Sequence, residues 1–285
     1  MGAVSRQAGF SLVELTIVIV ISGIIAGSVA LFFRPAVDGY FDTRRRAVLT
    51  DEADTALRRI GREVRLAVPN SIRTPSAACF ELVPSKAGGL YRRAADGVNA
   101  GSDPLDTTAP DLSFDVLSPL AAVPLPGDFV VVGNQNTDDV YTGATRGSVA
   151  AWATPPAPGG VAVGQGRIVL AAATQFPAAY DGGRFFVVDG TMPSVYYICR
   201  NPGLAGDSGT GQLVRVVRNL TPAAAAACPN DAGAVLATRV AACSFTYSPA
   251  AGATQQSGLL WLQLDLQESG ERATLAYGVH VSNVP

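Results

Sequence analysis

From Phe10 to Phe33 the chain runs for 24 residues with a single charged side chain, Glu14, before Arg34 ends the stretch. As a helix rising about 1.5 Å per residue it would reach roughly 36 Å, more than the hydrocarbon core of about 30 Å. Such a segment belongs in a membrane or among other apolar helices, and the rest of the chain must accommodate that. Glu14 is the exception inside it. A carboxylate near one end of an apolar span costs on the order of a few kcal/mol unless something offsets its charge, which marks it as a functional residue in need of a partner.

Two ordinary readings compete. A secretory signal peptide would use Arg6 as its basic flank and Ser28-Val29-Ala30 as a small-x-small cleavage site. Its apolar region would then span 18 residues, Phe10 to Gly27, and hold a glutamate, whereas such regions run about 7–15 residues. An ordinary single-pass anchor leaves Glu14 without a role. Flanking charge does not set the orientation, because Arg6 is outnumbered by Arg34, Arg44, Arg45 and Arg46 on the far side. A long exported domain overrides that count.

The stretch Gly9-Phe10-Ser11-Leu12-Val13-Glu14-Leu15, with the apolar residues after it, resembles the N-terminal signature of type IV pilins and type II secretion pseudopilins. The resemblance implies a leader of residues 1–9, cut between Gly9 and Phe10 by a prepilin peptidase, with N-methylation of Phe10. It also implies that Glu14 neutralises the terminal ammonium of a neighbouring subunit in the filament. The electrostatics agree, since two opposite charges that are each costly among apolar helices offset one another when paired.

Beyond this span there is length for one sizeable domain. The 30 glycines and 19 prolines of the 285 residues are spread throughout and predict many turns in a β-rich head. A net charge of −2 supplies no basic field to recruit nucleic acid. The four cysteines, Cys79, Cys199, Cys228 and Cys243, form no CxxC pair, and one histidine cannot complete a zinc site with them. In an exported head they read as disulfide candidates, each bridge worth about 2–4 kcal/mol, and spacing leaves all three full pairings open.

In chain order, an amphipathic helix is expected from about residue 34 to 68. Its stripe is Val37, Phe41, Val48, Ala53, Ala56, Leu57, Ile60, Val64, Ala67 and Val68, at spacings of three and four apart from a gap across Arg44-Arg45-Arg46. Arg58, Arg62 and Arg65 fall on a solvated face, and Asp54 pairs with Arg58 one turn on. Phe10 to Val68 could form one helix of roughly 88 Å, bent at Pro35 and Gly39 and stopped by Pro69. The β-rich head then occupies 69–285. Strands are expected at Cys79–Pro84, Leu112–Val116, Asp128–Gly133, Gly166–Leu170, Arg184–Val188, Ser194–Cys199 and Gln212–Arg218, with a weaker one at Val161–Val163. Pro155–Gly160 and Asn201–Gly211 read as loops. Leu260, Leu262, Leu264 and Leu266 share one strand face and Leu275, Tyr277, Val279 and Val281 another, a hairpin about Glu268-Ser269-Gly270. Cys243 has the parity of Phe245 and Tyr247, which turns its sulfur toward the core.

The head carries a second resemblance, in Leu66-Ala67-Val68-Pro69-Asn70-Ser71-Ile72-Arg73, Gly88-Gly89-Leu90-Tyr91-Arg92, Arg184-Phe185-Phe186-Val187-Val188-Asp189 with Tyr197-Ile198-Cys199, Cys243-Ser244-Phe245-Thr246-Tyr247 and Val279-His280-Val281-Ser282-Asn283-Val284-Pro285. These stretches are similar to the O-type minor pilins of the MSHA pilus. The resemblance implies an α+β, pilin-like fold, a long helix packed on a β-rich head. It implies a low-abundance subunit that primes or joins the pilus near its tip, and no cofactor. Its partners would be other major and minor pilins, the prepilin peptidase and methyltransferase, and the inner-membrane assembly platform. The chain would sit in the bacterial inner membrane with its head in the periplasm, then in the extracellular fibre. The resemblance also implies that Cys199 and Cys243 match the family pair, with Cys79 and Cys228 local additions. A type II secretion pseudopilin and a tip adhesin, the latter using loops Asn134–Gly147 and Asn201–Gly211, are the alternatives.

Other chemistry finds little support. His280 has no nucleophile near it in sequence and alternates away from the apolar Val279 and Val281. Asn134, Asn136 and Asp138 alternate as in the opening of a calcium loop, but Asp139 stands where its glycine belongs and Thr145 where its bidentate acid belongs. Arg44-Arg45-Arg46 is diluted by Asp42, Asp51, Glu52 and Asp54, so no nucleic-acid partner is expected. Trp152 and Trp261 read as core or interface anchors. Without a phosphate loop, paired carboxylates or a nucleophile elbow, an enzyme is not expected.

Overall fold

The computed structural model describes residues 9–178, 182–251 and 256–284, and the first eight residues of the expected leader, with Arg6, lie outside the described residues. The first element is a helix, α1 (Leu12–Arg65), of 54 residues. Ser11 caps it: its Oγ accepts the Glu14 N–H at 3.2 Å, and its carbonyl accepts the Leu15 N–H at 3.2 Å. α1 is one continuous helix through Pro35 and Gly39. A proline removes one helical hydrogen bond, and the neighbouring turns retain theirs.

The chain divides into two compact units between Val48 and Leu49. In the first, α1 is mostly exposed and, as far as Phe33, apolar apart from Glu14, a stretch long and apolar enough to cross a membrane. In the second, α1 buries Leu49, Ala53, Ala56, Leu57, Ile60, Gly61 and Val64. The expected stripe took Val48, which is exposed, in place of Leu49. Leu49 is the residue one helical turn before Ala53, so it and not Val48 stays on the buried face.

The helix also closes before Val68. The Leu66 carbonyl accepts the Ser85 N–H at 2.9 Å, Ala67 bridges to Pro84, and the Val68 N–H donates to the Val83 carbonyl at 2.8 Å. Backbone groups that could have extended α1 are committed to a neighbouring chain segment instead.

The head follows as short strands: β1 (Arg73–Ser76), β2 (Cys79–Leu82), β3 (Ala87–Leu90), β4 (Asp111–Val116) and β5 (Phe129–Val132), then the one-turn α2 (Asp139–Thr142). After it come β6 (Arg146–Ala153), β7 (Gly166–Thr174), β8 (Arg184–Val188), β9 (Ser194–Arg200), β10 (Leu204–Ala205), β11 (Ser208–Gly209) and β12 (Gly211–Arg218). Three long strands end the chain: β13 (Ala234–Ser248), β14 (Ser257–Glu268) and β15 (Glu271–Ser282). The expected strand at Val161–Val163 is absent from the described residues, where a 3-10 turn at Pro158–Gly160 precedes irregular chain. The C-terminal hairpin turns on Ser269 and Gly270, both at positive φ (50° and 85°), the geometry of a type I′ turn whose twist suits paired strands.

Seven strands form an antiparallel sheet in the order β1-β2-β9-β12-β13-β14-β15. One face carries α1, with Phe80, Tyr197, Leu213, Phe245 and the alternating leucines of β14 packed beneath it. Six strands form a second sheet, β3-β8-β5-β6-β7-β4, which curls until its ends meet. Tyr91 bridges to Val116 there, and the Leu117 N–H donates to the Leu90 carbonyl at 2.8 Å. That sheet encloses its own core around Phe114, Ile168 and Phe185. The head's two parts meet through Val68, Val83, Val131, Val140, Tyr141 and Val188. The fold is thus α+β, a long N-terminal helix with a β-rich head, as the resemblance implies.

Candidate functional site

The N-terminal segment presents its chemistry openly. Gly9 and Phe10 precede the capped helix and are exposed, Phe10 at 83%. Glu14 stands in the first turn of α1, where the helix dipole favours a carboxylate. Among the described residues none gives the Glu14 carboxylate a hydrogen bond or an ion pair. The sequence-predicted processing and assembly residues therefore lie together at one accessible helix start.

The head is fastened at three places. Cys79 pairs with Cys228 (Cα–Cα 5.7 Å) and Cys199 with Cys243 (Cα–Cα 6.3 Å). The second bridge joins β9 to β13, the two strands flanking β12, on the face that carries α1. The first lies on the opposite face, beside Tyr196, Ile198, Val214 and Val216, and ties the segment after β12 to β2.

The third fastening is polar. Arg73 is buried, and its Nη2 lies 2.5 Å from Asp138 Oδ1 and donates to the Pro222 carbonyl at 2.9 Å, while Nη1 donates to the Thr221 carbonyl at 3.1 Å. Glu81, fully buried, stands 3.8 Å from Nη1 and accepts the Ser194 hydroxyl at 2.5 Å. Burial pushes the Glu81 carboxyl above its ordinary range, and Ser194, Tyr196 and Arg73 pull it part of the way back.

Other singled-out residues have structural work to do. Asn134 is buried, donating to the Pro69 carbonyl at 2.7 Å and accepting the Thr145 hydroxyl at 2.9 Å. Asn136 donates to Asp139 at 2.9 Å, and Asp138 serves Arg73. The alternation that looked like a ligand loop is thus a set of internal hydrogen bonds. The stretch 134–147, expected to be a loop, contains α2 with Val140 and Tyr141 buried. His280 is exposed on β15, Trp152 packs against the core of the curled sheet, and Trp261 is 46% exposed. Sequence reasoning missed Glu52 and Glu63 on α1. Glu52 accepts the Thr238 N–H at 2.6 Å and lies 2.7 Å from Arg239, and Glu63 lies 3.0 Å from Arg215, so both fasten helix to sheet. Their positions flanking the apolar stripe were the available signal.

A helix long and apolar enough to cross a membrane thus leads into a disulfide-bonded, β-rich head. Residues 4–30 match the family described as the prokaryotic N-terminal methylation motif, and this prepilin-type motif supports a type IV pilin or pseudopilin. The motif implies processing by prepilin peptidase and assembly with other pilins, and it suggests a structural subunit in place of an enzyme. With the apolar helix it fits anchoring in the inner membrane before assembly. No curated protein and no solved structure matches the chain.

Proposed function

We propose that this chain is a minor pilin of an MSHA-type type IV pilus, incorporated into the fibre or priming it near the tip. The observation that carries the reading is Glu14, one carboxylate inside the matched motif and in the first turn of an exposed apolar helix. Residues 1–9 are the leader, cut between Gly9 and Phe10, and Phe10 becomes the methylated N-terminus. Residues 10–33 cross the membrane and later enter the fibre core, 34–68 form the amphipathic helix, and 69–285 form the periplasmic and then extracellular head. Leaving lipid is tolerable because the same apolar surface is reburied among neighbouring helices. Glu14 selects the register by meeting the Phe10 amine of the next subunit, since an unpaired charge there is costly and a paired one is not.

The intact mass of the purified chain tests this. A chain beginning at methylated Phe10 is expected, and one beginning at Met1 or Leu31 overturns the reading. The same motif equally supports a type II secretion pseudopilin. Deleting the gene separates the two, since loss of surface fibres supports the pilus and loss of enzyme export supports the secretion system.

A further inference from the structure

The outer edge of the seven-stranded sheet is β15, twelve residues paired with β14 in one unshifted register. Because Glu268 and Glu271 close a two-residue turn, the odd-numbered residues of β15 exchange hydrogen bonds with β14. The N–H and C=O groups of Arg272, Thr274, Ala276, Gly278, His280 and Ser282 therefore point away from the sheet, along an edge of about 40 Å. Among the described residues nothing bonds to that row.

Sheet edges of this kind are normally shortened, bulged, covered or guarded by lysine or proline. The other edges here are. β1 has four residues, a register irregularity and Pro75, and β3 and β4 close on each other through Tyr91 and Val116. β15 has no proline, no lysine and no bulge, and the only charge on its outward row, Arg272, is paired with Asp265. Its outward residues are otherwise small apart from His280. Beside them Trp261, opposite Gly278 in the register, leans so close that a Cβ on Gly278 would lie 3.2 Å from the indole. The ring stays 46% exposed on the solvent face next to the seam.

We propose that β15 is a docking edge that accepts, by backbone hydrogen bonding, an extended strand from a different subunit of the fibre, with a large apolar side chain of that strand against Trp261. The proposal rests on the pilin reading. Two copies related by a two-fold axis do not pair through this edge. Glu52 of α1 reaches Arg239, which holds Glu268 at the turn end of the hairpin, and Gly61 and Arg65 meet Tyr277 further along, so α1 from Leu49 onward and β15 run in the same sense. Antiparallel pairing of two β15 strands about a two-fold axis would turn one helix end for end, whereas chains anchored in one membrane enter their heads from the same end. Parallel pairing about a two-fold sets each N–H opposite its own counterpart and satisfies neither.

The test places a photo-crosslinking residue at 274, 276 or 280 of the full chain, in cells where processing to methylated Phe10 has been verified by mass, so that a failure here is distinct from a failure of the pilin reading. Adducts are expected on one segment of another pilin, and moving the probe two residues should move the adduct two residues. Ala276→Pro, which removes only an outward N–H, should lower the adduct yield from 274 and 280 by ~10-fold. Thr274→Lys, which leaves the backbone donor in place, should lower the yield from 280 and serves if the proline variant fails to fold. Adducts scattered without register, adducts on β15 of a second copy, or none at all would overturn the proposal.

Discussion

The guanidinium of Arg73 lies 3.5 Å from the centroid of the Tyr141 ring, and the Tyr141 hydroxyl donates to the Ser71 carbonyl at 2.7 Å. One side chain from β1 and one from α2 thereby lock the chain leaving the helix to the part of the head built on the curled sheet. Arg73 is also the cation nearest to Glu81. Arg73→Ala should therefore cost about 3–5 kcal/mol, because it leaves a buried carboxylate unbalanced. Urea unfolding of the full chain in detergent checks this, and adding Glu81→Gln should recover part of the loss.

Glu81 also makes a prediction about pH. Its folded-state pKa is raised above the ordinary 4.5 by burial, so between the two values the folded chain holds a proton that the unfolded chain has released. The contribution of this group to stability is fully present below the unfolded value and is lost as pH rises through the folded one. Glu81→Gln removes that falling component. From pH 4.5 to 7 the variant's unfolding midpoint should gain relative to that of the unmodified chain, and parallel midpoints would contradict the assignment.

The two bridges differ in the chain they enclose. By loop entropy alone, closing the 149-residue span of Cys79–Cys228 is worth about 5 kcal/mol and the 44-residue span of Cys199–Cys243 about 4. Replacing Cys79 and Cys228 together by serine should lower the unfolding midpoint more than replacing the other pair. It should also expose the segment from 219 to 233 to limited proteolysis, because that bridge ties it down.

Glu14→Ala should insert into the membrane at least as well as the unmodified chain, since it deletes an intramembrane charge. It should be cut and methylated normally and yet be depleted from sheared fibres, which immunoblotting of fibre and membrane fractions would measure. Equal incorporation would remove Glu14 from the assembly step.

Much of the fold was legible because it depends on local pattern. The apolar run, the helical stripe from Ala53 to Val64 and the alternating leucines of β14 each announce their own period. Where reading failed, a distant partner had decided the outcome. β1 and β3 are too short and too rich in glycine, proline or polar residues to signal a strand, and they exist because β2 and β8 pair with them. The helix end moved from Val68 to Arg65 because Val83 and Ser85 offered other partners. The ligand-like spacing of Asn134, Asn136 and Asp138 misled because spacing does not show that Asn134 faces Pro69, 65 residues away.

The sequence by itself determined that this protein has an apolar N-terminal helix with one carboxylate in its first turn, and that its chain ends in a tight hairpin. Solvent preference and backbone period act over a few neighbouring residues, so both are written locally. Only the tertiary structure decided which cysteines meet, that the second sheet closes on itself while β15 stays open, and that Arg73 spends its charge on Glu81 and Asp138. Those outcomes depend on which distant segments lie side by side, and no local pattern encodes that.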